Sequence, residues 1–325
     1  MPMLVENALI SMSTCLLMKP KPANLPGQIA DVDLRLLRVF KAVVECGGMA
    51  AAELELNVGM PTISRQIKDL EERLGLVLCR RGRAGFALTA EGAELYAAAL
   101  QLLSATTDFR ARLEEIHQQI GGDLHLALFE KTASNPACHI DRALAQFHLA
   151  APGVKLHIHV GTITDIEQGV LSGQFQVGVI PEHRRSDSLA YRPLFGEQMH
   201  LYAGKGHPWF AADHRWRWAD LRRQPLAGLG YHSPNLVLTH RRKLERAATA
   251  SDQEGVATLI LTGGFVGFLP DHYAQPFVDA GRMRAVSVDE LSYDCSFACI
   301  HRRDPAPTRA ASTLVQALEA AHAAG

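Results

Sequence analysis

The sequence predicts an α/β chain whose pattern changes twice: short helices, then one long helix, then strands alternating with helices around a mostly parallel sheet. Three observations predict it. From Asp33 to about Gly75 apolar residues recur at helical spacing in short segments. From Thr89 to Ile120 one alanine-rich stretch runs without proline. From Gly122 onward, runs such as "DLHLALF", "VKLHIHV" and "FQVGVI" alternate with helical segments. At 325 residues, 47% hydrophobic and 21% charged, the chain has length for two or three domains.

The net charge is −1, so no overall positive field announces a nucleic-acid partner, and any such partner needs a local basic patch. The six cysteines are scattered without a C-x-x-C pair, which favours reduced thiols in a cytosolic protein. Cys295 and Cys299, four apart in a strand-like run, read as core. No apolar run reaches the roughly 18–20 residues needed to span a membrane. Residues 1–30, with Pro20, Pro22 and Pro26, read as a disordered leader or a start assigned too far upstream. Its lysines follow the apolar part, the reverse of a secretory signal.

In the first regime, Leu34, Leu37, Val39, Phe40 and Val44 form an apolar stripe on a helix that Gly47-Gly48 ends. "MAAAELEL" predicts a second, very short helix, and Asn57-Val58-Gly59 a tight turn. In "NVGMPTISRQIKDLEERLG" Pro61 falls in the first turn of a third helix, where a missing N–H costs nothing. Ile63, Ile67, Leu70 and Leu74 fall at spacings of four, three and four, so they make one buried stripe. Arg65, Lys68 and Arg73 lie away from it, with Arg65 nearly opposite its centre. Such an arrangement is a helix-turn-helix, whose last helix enters the major groove of DNA.

"LVLCRRGRAGFAL" continues as a hairpin: Leu76 to Cys79, a tip from Arg80 to Gly85, then Phe86 to Leu88. From Arg65 to Arg83 six basic residues stand against Asp69, Glu71 and Glu72. A basic hairpin beside a recognition helix reads as a wing on the minor groove or a phosphate. A solvated basic turn is the plainer alternative.

Thr89 suits the N-cap of the long helix, and Glu91 suits its dipole. Leu95, Ala99, Leu102, Thr106, Phe109, Leu113, Ile116 and Ile120 alternate spacings of four and three, the seam of a coiled coil. A helix lying on its own domain shows part of this pattern; holding it for so long points to a partner helix. Gly121-Gly122 reads as a break and hinge.

Taken together, "DLRLLRVFKAVVECGGMAAAELELNVGMPTISRQIKDLEERLGLVLCRRGRAGFALTAEG" resembles the DNA-binding domain of LysR-type transcriptional regulators. The resemblance runs from about residue 31 to the end. It implies a winged helix-turn-helix over 31–88, a dimerising linker helix over 89–121 and an effector-binding domain over 122–325. That domain would be two-lobed and built like a periplasmic binding protein, with lobe 1 at about 122–193 and 292–325 and lobe 2 at about 194–291. The implied protein is a cytoplasmic homodimer or homotetramer that binds interrupted palindromes in double-stranded promoter DNA and answers to a small molecule. RNA polymerase is a further candidate partner. No cofactor, metal, membrane or catalytic step is implied.

The matching DNA-binding positions are Thr62, Ser64, Arg65 and Lys68, with Arg81 and Arg83 from the wing. This chain departs from the family at Gly59-Met60, usually Ser-Gln, and at Met49-Ala50, usually Phe-Ser. Glycine for serine at the cap costs only a few tenths of a kcal/mol. Met60 loses an amide able to read a base edge, so altered operator preference or weaker binding is expected.

In the last regime Thr132, Ser134 and Asn135 cluster where a helix is expected to begin, with Pro136 in or near its first turn, and Thr162 and Thr164 follow the next strand. Helix amino ends hold anions, and ligands in α/β sheets bind beyond the carboxyl ends of strands. In the resemblance these positions line the inducer cleft, with Tyr231 and His232 from the second lobe, and an effector bearing a carboxylate is expected. The 192–195 and 287–293 segments would be the crossings between lobes. The 15 histidines show no metal-ligand spacing, and no catalytic elbow or nucleotide loop is present. A cytosolic small-molecule-binding protein of the solute-binding fold, with weak or altered DNA binding, is the alternative function.

Overall fold

The computed structural model describes residues 29–82, 85–116 and 120–323. The expected leader lies outside them except for its last two residues. The chain divides into two compact units, one ending at Ala99 and one beginning at Leu100.

The first unit holds α1 (Asp31–Glu45), α2 (Ala52–Leu56), α3 (Met60–Leu74), the hairpin β1 (Cys79–Gly82) and β2 (Gly85–Leu88), and the first turns of α4 (Ala90–Ile116). In α1 the buried apolar residues are Leu36, Leu37, Val39, Phe40, Ala42 and Val43, while Leu34 and Val44 are half-buried. In α3 Ile63, Ile67 and Leu70 are buried and Leu74 is half-buried. Each buried aliphatic contributes about 1.5–3 kcal/mol. Asn57 closes α2 in the left-handed region at φ 52°, and Gly59 opens α3.

Two strand bounds differ from expectation. Leu76 to Leu78 is not a strand, because Leu78 is buried and Glu71 accepts its N–H at 2.7 Å. Arg80 and Arg81 instead belong to β1, with Arg81 opposite Phe86, leaving Arg83-Ala84 as the tip, outside the described residues. Thr89 caps α4 by accepting from the Gly92 N–H at 2.9 Å and donates to the Val77 carbonyl at 2.6 Å. A Cβ on Gly92 would stand 2.1 Å from the Leu78 carbonyl oxygen, so only glycine allows this approach.

The second unit continues α4 and adds β3 (Gly121–Phe129), α5 (Ile140–Ala150), β4 (Gly153–Gly161), α6 (Ile163–Ser172), β5 (Val177–Pro181) and β6 (Leu189–Gly204). Then come α7 (Pro208–Ala211), α8 (Trp218–Leu221), β7 (Leu226–Leu229), α9 (Pro234–Arg241), β8 (Arg246–Ala250), α10 (Gln253–Leu261) and β9 (Val266–Pro270). The chain closes with α11 (Asp271–Asp279), β10 (Met283–Ala285), β11 (Ser292–Arg302) and α12 (Arg309–Ala323). The sheet order is β4-β3-β5-β11-β6-β9-β7-β8, with β10 on β6. β4-β3-β5 and β9-β7-β8 are parallel groups, as the βαβ pattern predicts. Between them β6 and β11 pair antiparallel over most of their length, so the sheet is mixed. These two strands make both crossings, and their register slips between Ser296 and Ala298.

Two expectations around the long helix are corrected. Gly121 and Gly122 are the first residues of β3, paired with Gly153 and Val154, so they form part of the sheet. Ile120 accordingly packs against the core of the second unit and does not extend the seam. The second half of α4 is bonded to its own unit. Ser104 donates to the Gly173 carbonyl at 2.8 Å, Arg302 meets Asp108 at 2.7 Å, and Arg112 donates to the Ala306 carbonyl at 3.2 Å. At about 100° per residue these three share one face, and Phe109 and Leu113 point elsewhere. Phe109 is 62% and Leu113 43% exposed.

Thr162 opens α6 with a capping box, accepting from the Asp165 N–H and donating to its carboxylate at 2.6 Å. Replacing Thr162 by Ala should cost about 1 kcal/mol. Urea denaturation followed by circular dichroism measures it, and an unchanged midpoint would contradict the capping role.

Candidate nucleic-acid interface and effector cleft

On α3 the apolar stripe faces α1, and Thr62, Arg65 and Lys68 are exposed. Arg65 has no hydrogen bond or ion pair among the described residues. Lys68 pairs with Glu72 at 3.4 Å across one helical turn. Ser64 is half-buried. Arg73 differs from the other basic residues, because its Nε meets Asp33 Oδ1 at 2.6 Å and ties α3 to α1. That hydrogen bond holds the Asp33 carboxyl below its ordinary range. Met60 is 45% exposed at the start of α3, and its N–H is taken by Glu53 of α2. The cap that Gly59 lacks is thereby replaced from the preceding helix, a contact that no local motif announced. Met49 is buried, so of the Met49-Ala50 pair the methionine lies in the core.

In the second unit the corner after β3 differs from its expected form. Thr132 to Ser134 make one 3-10 turn, and α5 begins only at Ile140, beyond Pro136. No α-helix therefore begins at Thr132. Asn135 is spent within the fold, donating to the Gly196 carbonyl at 3.0 Å and accepting from the Ala137 N–H at 2.9 Å.

This corner grips α10 and α11. Lys131 pairs with Glu254 at 2.8 Å and stands over the Tyr273 ring, whose hydroxyl donates to the same carboxylate at 2.9 Å. Ser134 Oγ meets His272 Nδ1 at 2.9 Å, and His272 Nε2 meets Glu197 at 3.2 Å. Glu130 accepts from the Gln253 N–H at 2.7 Å, so the amino end of α10 already holds a carboxylate.

Burial pushes the Glu130 carboxyl up from 4.5 to about 7, helped by Asp252 and Glu254 and opposed by the Gln253 N–H and Lys131. A carboxyl raised in this way favours the folded state in its neutral form. Its contribution is fully present below the unfolded value and is lost as pH rises through about 7. After allowance for its partial exposure, about 1 kcal/mol is expected. Melting temperatures across pH 5 to 8 should therefore fall more steeply for the wild type than for Glu130→Gln, and parallel profiles would refute the assignment.

Beneath the grip lies a cavity of about 20 Å³. Phe129, Ile163, Pro181, Met199 and Leu229 give it apolar walls, and Glu197, Ser233, Asn235, Gln253 and Tyr293 give it polar ones. None of the seven expected effector residues lines it, although Ile163 stands between Thr162 and Thr164 and Ser233 follows His232. Tyr231 is half-buried with its hydroxyl unpartnered among the described residues, and Thr164 is half-buried. His232 is exposed, its ring 4.9 Å from that of His183. Glu197, inside a long strand of mixed polarity, and Gln253, an ordinary first helical residue after the Asp252 cap, carry no local signal of a site.

His125, His157 and His159 stack along β3 and β4, with His157 on Asp123 at 2.7 Å. Among the described residues no group of three or more histidine, cysteine or acidic side chains is arranged to hold a metal ion. Cys295 and Cys299 are buried free thiols, and burial raises the second to about 12. No helix of the described residues is long and apolar enough to cross a membrane.

Residues 34–93 match the model of the bacterial regulatory helix-turn-helix protein, lysR family, and residues 117–323 match that of the LysR substrate binding domain. The HTH-type transcriptional activator BauR of Pseudomonas aeruginosa is 38% identical over 293 residues, covering 90% of this chain and 96% of its own. The SDS degradation transcriptional activation protein of a Pseudomonas species is 32% identical over 200 residues, covering 60% and 64%. The fold is similar to that of full-length CbnR, whose structure with its target DNA gives a TM-score of 0.59, 22% identity, and 89% and 99% of the two chains covered. The chain belongs to the LysR family: it is a DNA-binding transcription regulator under effector control, and not an enzyme.

Proposed function

We propose that α3 reads the operator through Thr62, Ser64, Arg65 and Lys68, that Arg81 and Arg83 of the hairpin contact the flanking backbone or minor groove, and that the protein acts in the cytoplasm. The observation that carries this is the exposed Arg65, opposite the buried stripe and free of any ion pair among the described residues. Residues 31–88 then form the DNA head, 89–121 the dimerising linker and 122–325 the effector domain, its lobes divided near 193 and 292. Two copies join through the outward stripe of α4, as a dimer or a pair of dimers. The effector enters between the lobes, with Thr132, Ser134, Asn135, Thr162, Thr164, Tyr231 and His232 outside the lining of the cavity and contacting the part of the effector that projects from it. Its binding energy shifts the assembly only through unequal affinity for two arrangements, and the grip of Glu130, Lys131 and Ser134 on α10 and α11 is the element it biases. BauR is named an activator, and activation through contact with RNA polymerase is the corresponding reading here.

Retardation of a fragment carrying the promoter beside the protein's own gene tests the first half. Specific retardation that survives excess unrelated DNA is expected. Binding no tighter than to unrelated DNA would instead favour a small-molecule-binding protein that has lost its operator.

A further inference from the structure

Two acceptors in the cavity, the Gln253 side-chain oxygen and one Glu197 oxygen, stand out among its polar atoms. Asn235 donates to the Tyr293 hydroxyl at 3.2 Å and accepts from Arg246 at 2.8 Å, and Ser233 accepts from the Leu236 N–H at 3.3 Å. Asn235 is engaged with the protein, while the Tyr293 and Ser233 hydroxyls accept there and keep a proton to donate. Gln253 is 4% exposed, and its side-chain oxygen is buried with no partner among the described residues. The Glu197 side chain is 6% exposed, and His272 engages one of its two oxygens. Among the described residues lining the cavity there is no lysine, arginine or histidine.

We infer that the effector carries a compact ammonium group, seated in this cavity against Glu197 and the Gln253 side-chain oxygen. This rests on reading the cleft as the effector site. Three observations converge on it. A buried acceptor without a donor is costly, and a cationic N–H donor would satisfy it with a charge-assisted bond. The cavity has room for about one water-sized group, the size of an ammonium head. The walls of Phe129, Ile163, Met199 and Leu229 suit methylenes next to that head. Turning the Gln253 amide to present its N–H groups to a carboxylate would set that carboxylate against Glu197, so an acid is admitted there only with Glu197 protonated, whereas an ammonium is attracted by the ionised carboxylate. The expected carboxylate effector relied on helix starts at Thr132 and at Thr162; α5 begins only at Ile140, whereas α6 does begin after Thr162. The amino end of α10 is taken by Glu130.

The test is calorimetric titration of the full-length protein with linear amines, ω-amino acids and carboxylic acids of three to five carbons. Ammonium-bearing probes are expected to bind and the plain acids are not. Glu197→Gln, nearly isosteric, should weaken the ammonium probes at least tenfold, and Gln253→Leu should weaken them severalfold. Circular dichroism establishes that each variant is folded, and Met199→Phe, which fills the cavity, should abolish binding. Binding of plain acids but not amines, lost in Met199→Phe, overturns the ammonium assignment and keeps the cleft. Amine binding untouched by Met199→Phe and by Glu197→Gln overturns both. Failure of every ammonium probe to bind overturns the assignment.

Discussion

A chain carrying Phe109→Glu and Leu113→Glu is expected to scatter light as a monomer and to lose measurable retardation of the operator. The expectation comes from the two faces of α4. Ser104, Asp108 and Arg112 fasten one face to the chain's own effector domain. Phe109 and Leu113 lie on the other, 62% and 43% exposed. Burying each in a partner helix contributes about 1.5–3 kcal/mol, whereas opposed carboxylates there would repel. A monomer presents one head to a two-part operator and loses the avidity of the second, roughly a 10²- to 10⁴-fold effect. The effector domain should keep its circular dichroism, since neither side chain belongs to its core. A persistent dimer mass would show that assembly uses another surface.

The contrast between those faces shows what the sequence could convey. Alternate spacings of four and three marked an apolar stripe, of which Ala99 is buried while Phe109 and Leu113 stand exposed. The same spacing carried the seam on to Ile120, which belongs to the effector core, because periodicity does not register that Gly121 and Gly122 pair with Gly153 and Val154. The helix-turn-helix was legible since its signals are local: a proline in the first turn, a left-handed Asn57 and a stripe on α3. The cleft was less so. Thr132, Ser134 and Asn135 are hydroxyls and an amide at a strand end, but the first two lie in a 3-10 turn and residues 135–139 separate that turn from α5. Glu197 and Gln253, which face the cavity, come from β6 and α10, far apart in the chain. Only the crossing of β6 and β11 through the sheet brings them together. Long-range pairing of that kind leaves no periodic trace.

Arg65→Ala is expected to weaken operator binding by about 1–3 kcal/mol, a factor of roughly 5–150, with the melting temperature unchanged. The side chain lies opposite Ile63, Ile67 and Leu70, and no intramolecular ion pair among the described residues competes for it. Its planar fork suits the two acceptors of a guanine edge, and removing it should relax sequence preference at one operator position. Lys68 provides the comparison. It is a point charge already near Glu72, so Lys68→Ala should weaken all sequences alike and reduce the salt dependence by about one phosphate contact. Arg73→Ala provides the opposite control. Its guanidinium is bonded to Asp33 at 2.6 Å, so the loss should appear in the melting temperature of the head before it appears in base preference. These three basic residues share one helix and 15 residues of sequence, yet three different readouts follow from what each side chain touches. Operator affinity unchanged by Arg65→Ala, with sequence preference also intact, would remove that residue from the reading face and leave α3 without its strongest base contact.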